Sequence, residues 1–156
     1  MKKVCFISLI VLLLDRVTKF IIVKEIDYNT NIIIIRDFLE ITYVKNDGAA
    51  FSILSGSRVF LIFCGIIALI LIFSYIRRSV IKDKYELIGY GLIIGGTIGN
   101  LLDRIVYGYV IDFISFKIFG YNAPVFNVGD IAITVGVLIM IGGIWFSKRN
   151  KTIHNV

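Results

Sequence analysis

The chain has 156 residues, 58% of them apolar and 18% charged. Soluble domains run at roughly 45–50% and about 25%, so these figures argue against a soluble enzyme and exclude disordered, collagen-like and disulfide-rich secreted classes. The length allows one domain; the formal charge of +6 has no meaning for partners until its distribution is known.

Lys2 and Lys3 precede an apolar run at 4–23 that imitates a secretory signal peptide. No A-x-A-like cleavage site follows; Asp15, Arg16 and Lys19 come instead, which marks a retained first helix. The segment 24–58 reads as an outer loop. Within it Glu40-Ile41-Thr42-Tyr43-Val44 alternates like a half-buried strand and Asn46-Asp47-Gly48 reads as a turn. Further apolar runs lie at 59–76, 87–102 and 131–146; with their polar ends the last two give spans of about 87–105 and 127–146. A second outer loop at 106–126 has strand-like character over 109–116. Each run approaches the ~20 residues that cross a ~30 Å hydrocarbon layer, and only a helix satisfies its own backbone there. The expected fold is an all-α membrane protein, residues 1–156 forming one polytopic domain, with four transmembrane helices and a small extracytoplasmic β-sheet or loop region.

The basic residues sort by side. Lys2, Lys3, Arg77, Arg78, Lys82, Lys84, Lys148, Arg149 and Lys151 flank the short connections on one side. Lys24, Arg36, Lys45, Arg58 and Lys117 are spread over the longer loops opposite, where Glu25, Asp27, Asp37, Glu40 and Asp47 offset them. The short basic loops define the cytoplasmic face, with both termini inside. The surplus charge is therefore a topology signal, and no nucleic-acid partner is expected. Cys5 and Cys64 sit in apolar runs and His154 is the lone histidine, so zinc sites, Cys–His nucleophiles and Ser–His–Asp triads lack their parts.

Charges inside spans are costly and point to function. Asp15 and Lys19 share a helix face at i,i+4, either as an internally paired structural cluster or as a functional one; Arg16 has the reach to snorkel. The third span runs outward and ends with Asn100, Asp103 and Arg104, which share a face at i,i+3 and i,i+4. Gly95, Gly96 and Gly99 let helices approach closely. Gly95-Gly96-Thr97-Ile98-Gly99 does not fit G-x-G-x-x-G, so no dinucleotide site is expected. The fourth span runs inward, bringing Asn127 and Asp130 to the depth of Asp112. Two acids in a partly desolvated site share one proton, so that one activates water while the other donates to a carbonyl. Composition alone favours the plainer reading, two separate acids capping helix ends.

Asp15-Arg16-Val17-Thr18-Lys19, Asn46-Asp47-Gly48-Ala49-Ala50-Phe51, Gly99-Asn100-Leu101-Leu102-Asp103-Arg104, Val110-Ile111-Asp112-Phe113 and Phe126-Asn127-Val128-Gly129-Asp130 occur in that order. Together they resemble the successive motifs of the bacterial lipoprotein signal peptidases, signal peptidase II, over nearly the whole chain. The resemblance implies an aspartyl endopeptidase of the cytoplasmic membrane that cuts the signal peptide from diacylglyceryl-modified prolipoproteins, just before the lipidated cysteine. It puts the catalytic dyad on Asp112 and Asp130, with the site near the outer face. Asn46, Asn100, Arg104 and Asn127 fall on positions that line the site and position substrate. Asn46 and Gly48 would meet the substrate backbone, Asp15 and Lys19 would support the site, and Asp103 would orient Arg104 and its neighbours. Membrane lipids and globomycin-type inhibitors are the other implied partners. No metal or cofactor is implied, and a monomer suffices. Thr97 and Gly129 stand where alanine is usual, and Ala123 stands where tryptophan is frequent.

A small transporter also uses intramembrane acids, but four spans without a repeat leave little room for alternating access. A non-catalytic scaffold leaves the paired acids and their asparagines unexplained. Another membrane aspartyl protease is closer in chemistry; the asparagine and arginine motifs favour the lipoprotein reading.

Overall fold

The computed structural model describes residues 1–49, 53–78, 83–118 and 120–153, without the side chains of 144 and 146–153. Ala50 and Phe51 of the outer-loop motif, Lys82 and His154 lie outside the described residues, as do the side chains of Lys148, Arg149 and Lys151.

Four helices carry the apolar runs: α1 (Lys2–Glu25), α2 (Arg58–Arg78), α3 (Lys84–Val106) and α4 (Val128–Ile153). Four strands lie between them: β1 (Asn31–Ile35), β2 (Leu39–Asn46), β3 (Val110–Ile118) and β4 (Tyr121–Phe126). They form one antiparallel sheet in chain order, although α2 and α3 intervene between β2 and β3. The expected strands at 40–44 and 109–116 correspond to β2 and β3. The flanking β1 and β4 complete a larger sheet than the alternating patterns indicated.

Helix α3 is the central element, packed between α1 and α4. Glycine makes this possible at particular points. A Cβ at Gly95 would lie 2.6 Å from the Ser8 carbonyl oxygen of α1, and one at Gly96 would lie 2.3 Å from the Gly129 carbonyl oxygen of α4. The backbones therefore touch where any side chain would separate them, as the run of small residues led one to expect. Gly108, at φ +88, makes the left-handed step that ends α3 and turns the chain into β3. The sheet rests on the end of α1 through Ile22, Tyr43, Ile111 and Phe113.

Burial is reversed relative to a soluble domain. Lys19, Asn127, Asp15, Asp103 and Asp112 are among the largest fully buried side chains, while Phe6, Phe20, Phe63, Leu71 and Leu138 are more than half exposed. An apolar exterior around a polar interior suits a hydrocarbon solvent. Among the described residues, α2 alone is long and apolar enough to cross a membrane by length and composition; Val128–Gly143 is apolar but shorter. The ionisable groups of α1 and α3 lower their apolarity, and these same groups build the polar interior.

Candidate active site

The site starts at a buried ionic cluster between α1 and α3. The ammonium of Lys19 lies 2.9 Å from Asp15 Oδ2 and 2.8 Å from Asp103 Oδ2, and donates to Asn100 Oδ1 at 2.9 Å. Its three donors are thus all engaged. Arg16 lies 2.7 Å from Asp103 Oδ1 and 3.1 Å from Asp15 Oδ2, so two acids face two bases. Arg16 therefore turns inward instead of snorkelling. Asp103 is held by Lys19 and Arg16 and accepts from the Ile111 amide at 3.3 Å; among the described residues no hydrogen bond or ion pair joins it to Arg104. Asp15 reaches further, accepting at 3.0 Å from the backbone N–H of Gly129. Charges buried this way are tolerated because each has a partner, and removing one strands the others.

Asn100, Asn127 and Asn46 connect this cluster and the backbone to two carboxylates. Each has its side-chain oxygen taken by a fixed donor, which leaves the NH₂ group aimed at an aspartate. The Asn100 oxygen accepts from Lys19, and its Nδ2 donates to Asp130 Oδ1 at 2.8 Å. The Asn127 oxygen accepts the Asp130 N–H at 2.9 Å, and its Nδ2 donates to Asp112 Oδ1 at 2.6 Å. The Asn46 oxygen accepts the Gly48 N–H at 3.0 Å in a side-chain-closed turn, and its Nδ2 donates to Asp112 Oδ2 at 2.8 Å. The hydrogen-bond network thereby fixes which way each amide faces.

Local structure explains the placement of both acids. Asn127 immediately precedes α4 and caps it, while the Asp130 carboxylate reaches back to the Asn127 N–H at 3.2 Å. This is a reciprocal capping box, with Asn and Asp in the roles more often filled by Ser or Thr and Glu. Asp130 is therefore a capping acid and a cavity-lining acid at once, and the two readings of it are not exclusive. Asp112 pairs with Val44 across the β2–β3 ladder, two residues from Asn46 on the same face of β2. On the other face the Lys45 ammonium lies 5.0 Å from the Tyr28 ring centre and 5.2 Å from that of Tyr109, anchoring this end of β2.

Asp112 is 2% exposed. Burial, with the charge of Asp130 adding to it, pushes its carboxyl up to about 7 despite the amides of Asn46 and Asn127. Asp112 and Asp130 both line a cavity of about 330 Å³ among α2, α3, α4 and the sheet. Arg104 lines it too and donates to the Gly48 carbonyl at 2.7 Å, so Gly48 is tied to Arg104 across the cavity mouth. Among the described residues its Nε has no partner. Two arginines outside the expected set also contribute. Arg16 completes the ionic cluster, and Arg58 caps α3 by donating to the carbonyls of Arg104 at 2.7 Å and Ile105 at 2.8 Å. Neither was legible from spacing, because the Asp103 that Arg16 meets and the carbonyls that Arg58 caps lie on another helix. No group of three or more His, Cys, Asp or Glu among the described residues is arranged to hold a metal ion.

The arrangement offers two carboxyl groups in one pocket, one of them able to hold a proton near neutrality, with amide donors around both. Comparison with known proteins gives a consistent picture. Residues 7–146 match the family described as signal peptidase (SPase) II. The chain is 37% identical over 150 residues to the lipoprotein signal peptidase of Staphylococcus carnosus (strain TM300), covering 95% of this chain and 93% of that one. It is 39% identical over 131 residues to the lipoprotein signal peptidase of Clostridium tetani (strain Massachusetts / E88), covering 83% and 84%. A bacterial membrane enzyme structure determined by the in meso method at 2.3 Å resolution is similar with a TM-score of 0.88 and 34% identity, over 97% of this chain and 92% of that one. A second such structure, at 1.9 Å, gives 0.79 and 35%, over 92% and 93%.

Proposed function

This chain belongs to the signal peptidase II family of bacterial membrane proteases, and from that premise we propose that it is an aspartyl endopeptidase whose dyad is Asp112 and Asp130. Its substrates are diacylglyceryl-modified prolipoproteins, cut immediately before the lipidated cysteine. The observation that carries the reading is that Asp112 and Asp130 line one cavity while Asn127 donates its side-chain amide to the Asp112 carboxyl and its backbone N–H to that of Asp130.

In this mechanism Asp112 holds the shared proton and Asp130 is the base. Asp130 takes a proton from water as the water oxygen attacks the scissile carbonyl carbon. Asp112 donates its proton to the developing oxyanion, and Arg104 adds positive charge at the same mouth. Collapse of the tetrahedral intermediate re-forms the carbonyl as one hydroxyl returns its proton to Asp112, and breaks the C–N bond as the proton now on Asp130 passes to the leaving amine. Asn100 and Asn127 hold the two carboxyls in place, and Asn46 with Gly48 meets the substrate backbone. The Lys19–Asp15–Asp103–Arg16 cluster supports Asn100 from below.

All four helices cross the cytoplasmic membrane, over about residues 4–23, 59–76, 87–105 and 127–146, with both termini inside and the dyad near the outer face. The apolar exterior and the basic short connections support this topology. A diacylated substrate is held in the bilayer by roughly 0.8 kcal/mol per buried CH₂, so its scissile bond stays at the dyad's depth. Peptide inhibitors of the globomycin type would occupy the same cavity, and a monomer is sufficient for all of these steps.

The test uses purified protein in lipid with a diacylglyceryl-modified prolipoprotein and its unlipidated twin. Cleavage before the lipidated cysteine, with the twin cut far more slowly, is expected. Equal cleavage of both contradicts lipid-dependent recognition, and loss of cleavage on adding a chelator contradicts the metal-free mechanism.

A further inference from the structure

The cavity continues inward past the two acids. Thr97 is three residues before Asn100 on α3, and Thr134 is four residues after Asp130 on α4, and both line the same cavity. These spacings place the two threonines about one helical turn, roughly 5.4 Å, inward of the Asn100–Asp130 hydrogen bond and on the same helix faces. The apolar part of the cavity lining includes Leu61, Gly65, Leu101 and Ile133. Among the described residues neither threonine hydroxyl makes a hydrogen bond to the protein, not even to the carbonyl one turn back as Thr18 does to Leu14 at 2.8 Å. Two hydroxyls without a protein partner thus line the same cavity as the two acids.

A peptide bond inside a helix is shielded by its own hydrogen bonds, so a spanning signal peptide must unwind next to the bond that is cut. Each residue that unwinds exposes an N–H and a C=O, which are costly to leave unpaired away from water. Extended chain advances about 3.3 Å per residue, so one turn of depth equals one to two residues of substrate. In the proposed topology the signal peptide lies inward of the cleavage site. We infer that the Thr97 and Thr134 hydroxyls form a backbone-binding subsite for the unwound end of the signal peptide, one to two residues ahead of the scissile bond. The ligand class is an extended peptide main chain, read through its amide groups and not its side chains. This subsite rests on the signal-peptidase reading above, and extends it to residues outside the dyad and its asparagines.

The lipid anchor brings the substrate to the enzyme, whereas the hydroxyls engage only once the chain has unwound, so their loss acts on kcat and leaves KM nearly unchanged. Wild type, Thr97→Val, Thr134→Val, the double valine variant and Thr97→Ser are compared on one diacylglyceryl-modified substrate. Each valine keeps the shape and removes one hydroxyl. We expect kcat to fall roughly 5- to 10-fold per valine and Thr97→Ser to stay near wild type. On wild type, a substrate with an ester replacing the amide one or two residues ahead of the cleavage site should lose a similar factor, whether or not the valine variants fold. Valine variants with wild-type kcat, a serine variant as slow as valine, or an ester substrate cut as fast as the amide would each overturn the subsite while leaving the protease reading intact. A wild-type protein that cuts no lipidated substrate removes the reading and the subsite together.

Discussion

The side chain of Asn127 donates to Asp112 at 2.6 Å across the gap between α4 and β3. Its oxygen simultaneously accepts the backbone N–H of Asp130 at 2.9 Å. One residue therefore caps a helix and aligns both proposed catalytic acids. These two roles can be separated, because capping needs only a short side-chain oxygen whereas the contact to Asp112 needs the amide NH₂. Asn127→Ser should keep the cap and melt within a few degrees of wild type while losing most activity. Asn127→Ala should lose both, at a cost in stability of about 1 kcal/mol. Thermal unfolding and initial rates on the same preparations make the comparison.

Asp112 also gives stability a pH dependence. Its carboxyl sits at about 7 in the fold and near 4 in an unfolded chain. A raised acid favours the folded state below the unfolded value, and that advantage is lost as pH rises towards 7, by up to about 1.4 kcal/mol per pH unit. Asp112→Asn removes this titration. The melting temperature of the variant relative to wild type should therefore rise between pH 5 and pH 7 and level off above. A difference that stays flat over that range contradicts burial as the dominant cause.

Lys19 balances Asp15 and Asp103 in a site with almost no solvent. Lys19→Met should destabilise by about 3–5 kcal/mol, the usual cost of stranding buried charge. Adding Asp15→Asn should recover part of that stability without activity, because the Asn100 oxygen still lacks the donor that aims its NH₂ group at Asp130. A double variant that regains activity with stability would show that Lys19 acts on folding alone.

Packing of α3 against α4 is similarly testable. Gly96→Ala would drive a methyl to 2.3 Å from the Gly129 carbonyl oxygen, where both sides are backbone, whereas Gly142 has nothing within 4 Å. Gly96→Ala should cost about 1–3 kcal/mol and displace Gly129 beside Asp130. Gly142→Ala should be neutral or stabilise slightly through helix propensity. Unfolding midpoints of the two variants measure the contrast.

What could be read in advance follows the range of each signal. The apolar runs marked the helices because hydrophobicity is a local property; β2 was visible through alternation and most of β3 through its strand-like stretch at 109–116. β1 was hidden because Asn31 is followed by four consecutive isoleucines with no alternation, and all five residues are exposed. β4 was hidden by Pro124, tolerated because β4 is an edge strand. In the site, spacing placed Asn100 with Asp103 and Asp15 with Lys19, since i,i+3 and i,i+4 neighbours belong to one helix. It could not show that Arg16 meets Asp103, that Arg58 caps α3, or that Asp103 pairs with Lys19. Those pairings depend on how closely α1, α2 and α3 approach, which the glycine contacts determine in three dimensions.

The central claim is that Asp112 and Asp130 act together on the scissile bond. Its most direct measurement compares cleavage of a diacylglyceryl-modified prolipoprotein by wild type, Asp112→Asn and Asp130→Asn, each shown by its melting curve to be folded. The account predicts that each single substitution lowers the rate by roughly 10²–10⁴-fold, the range for removing a general acid or base. Full cleavage by either folded variant would contradict it.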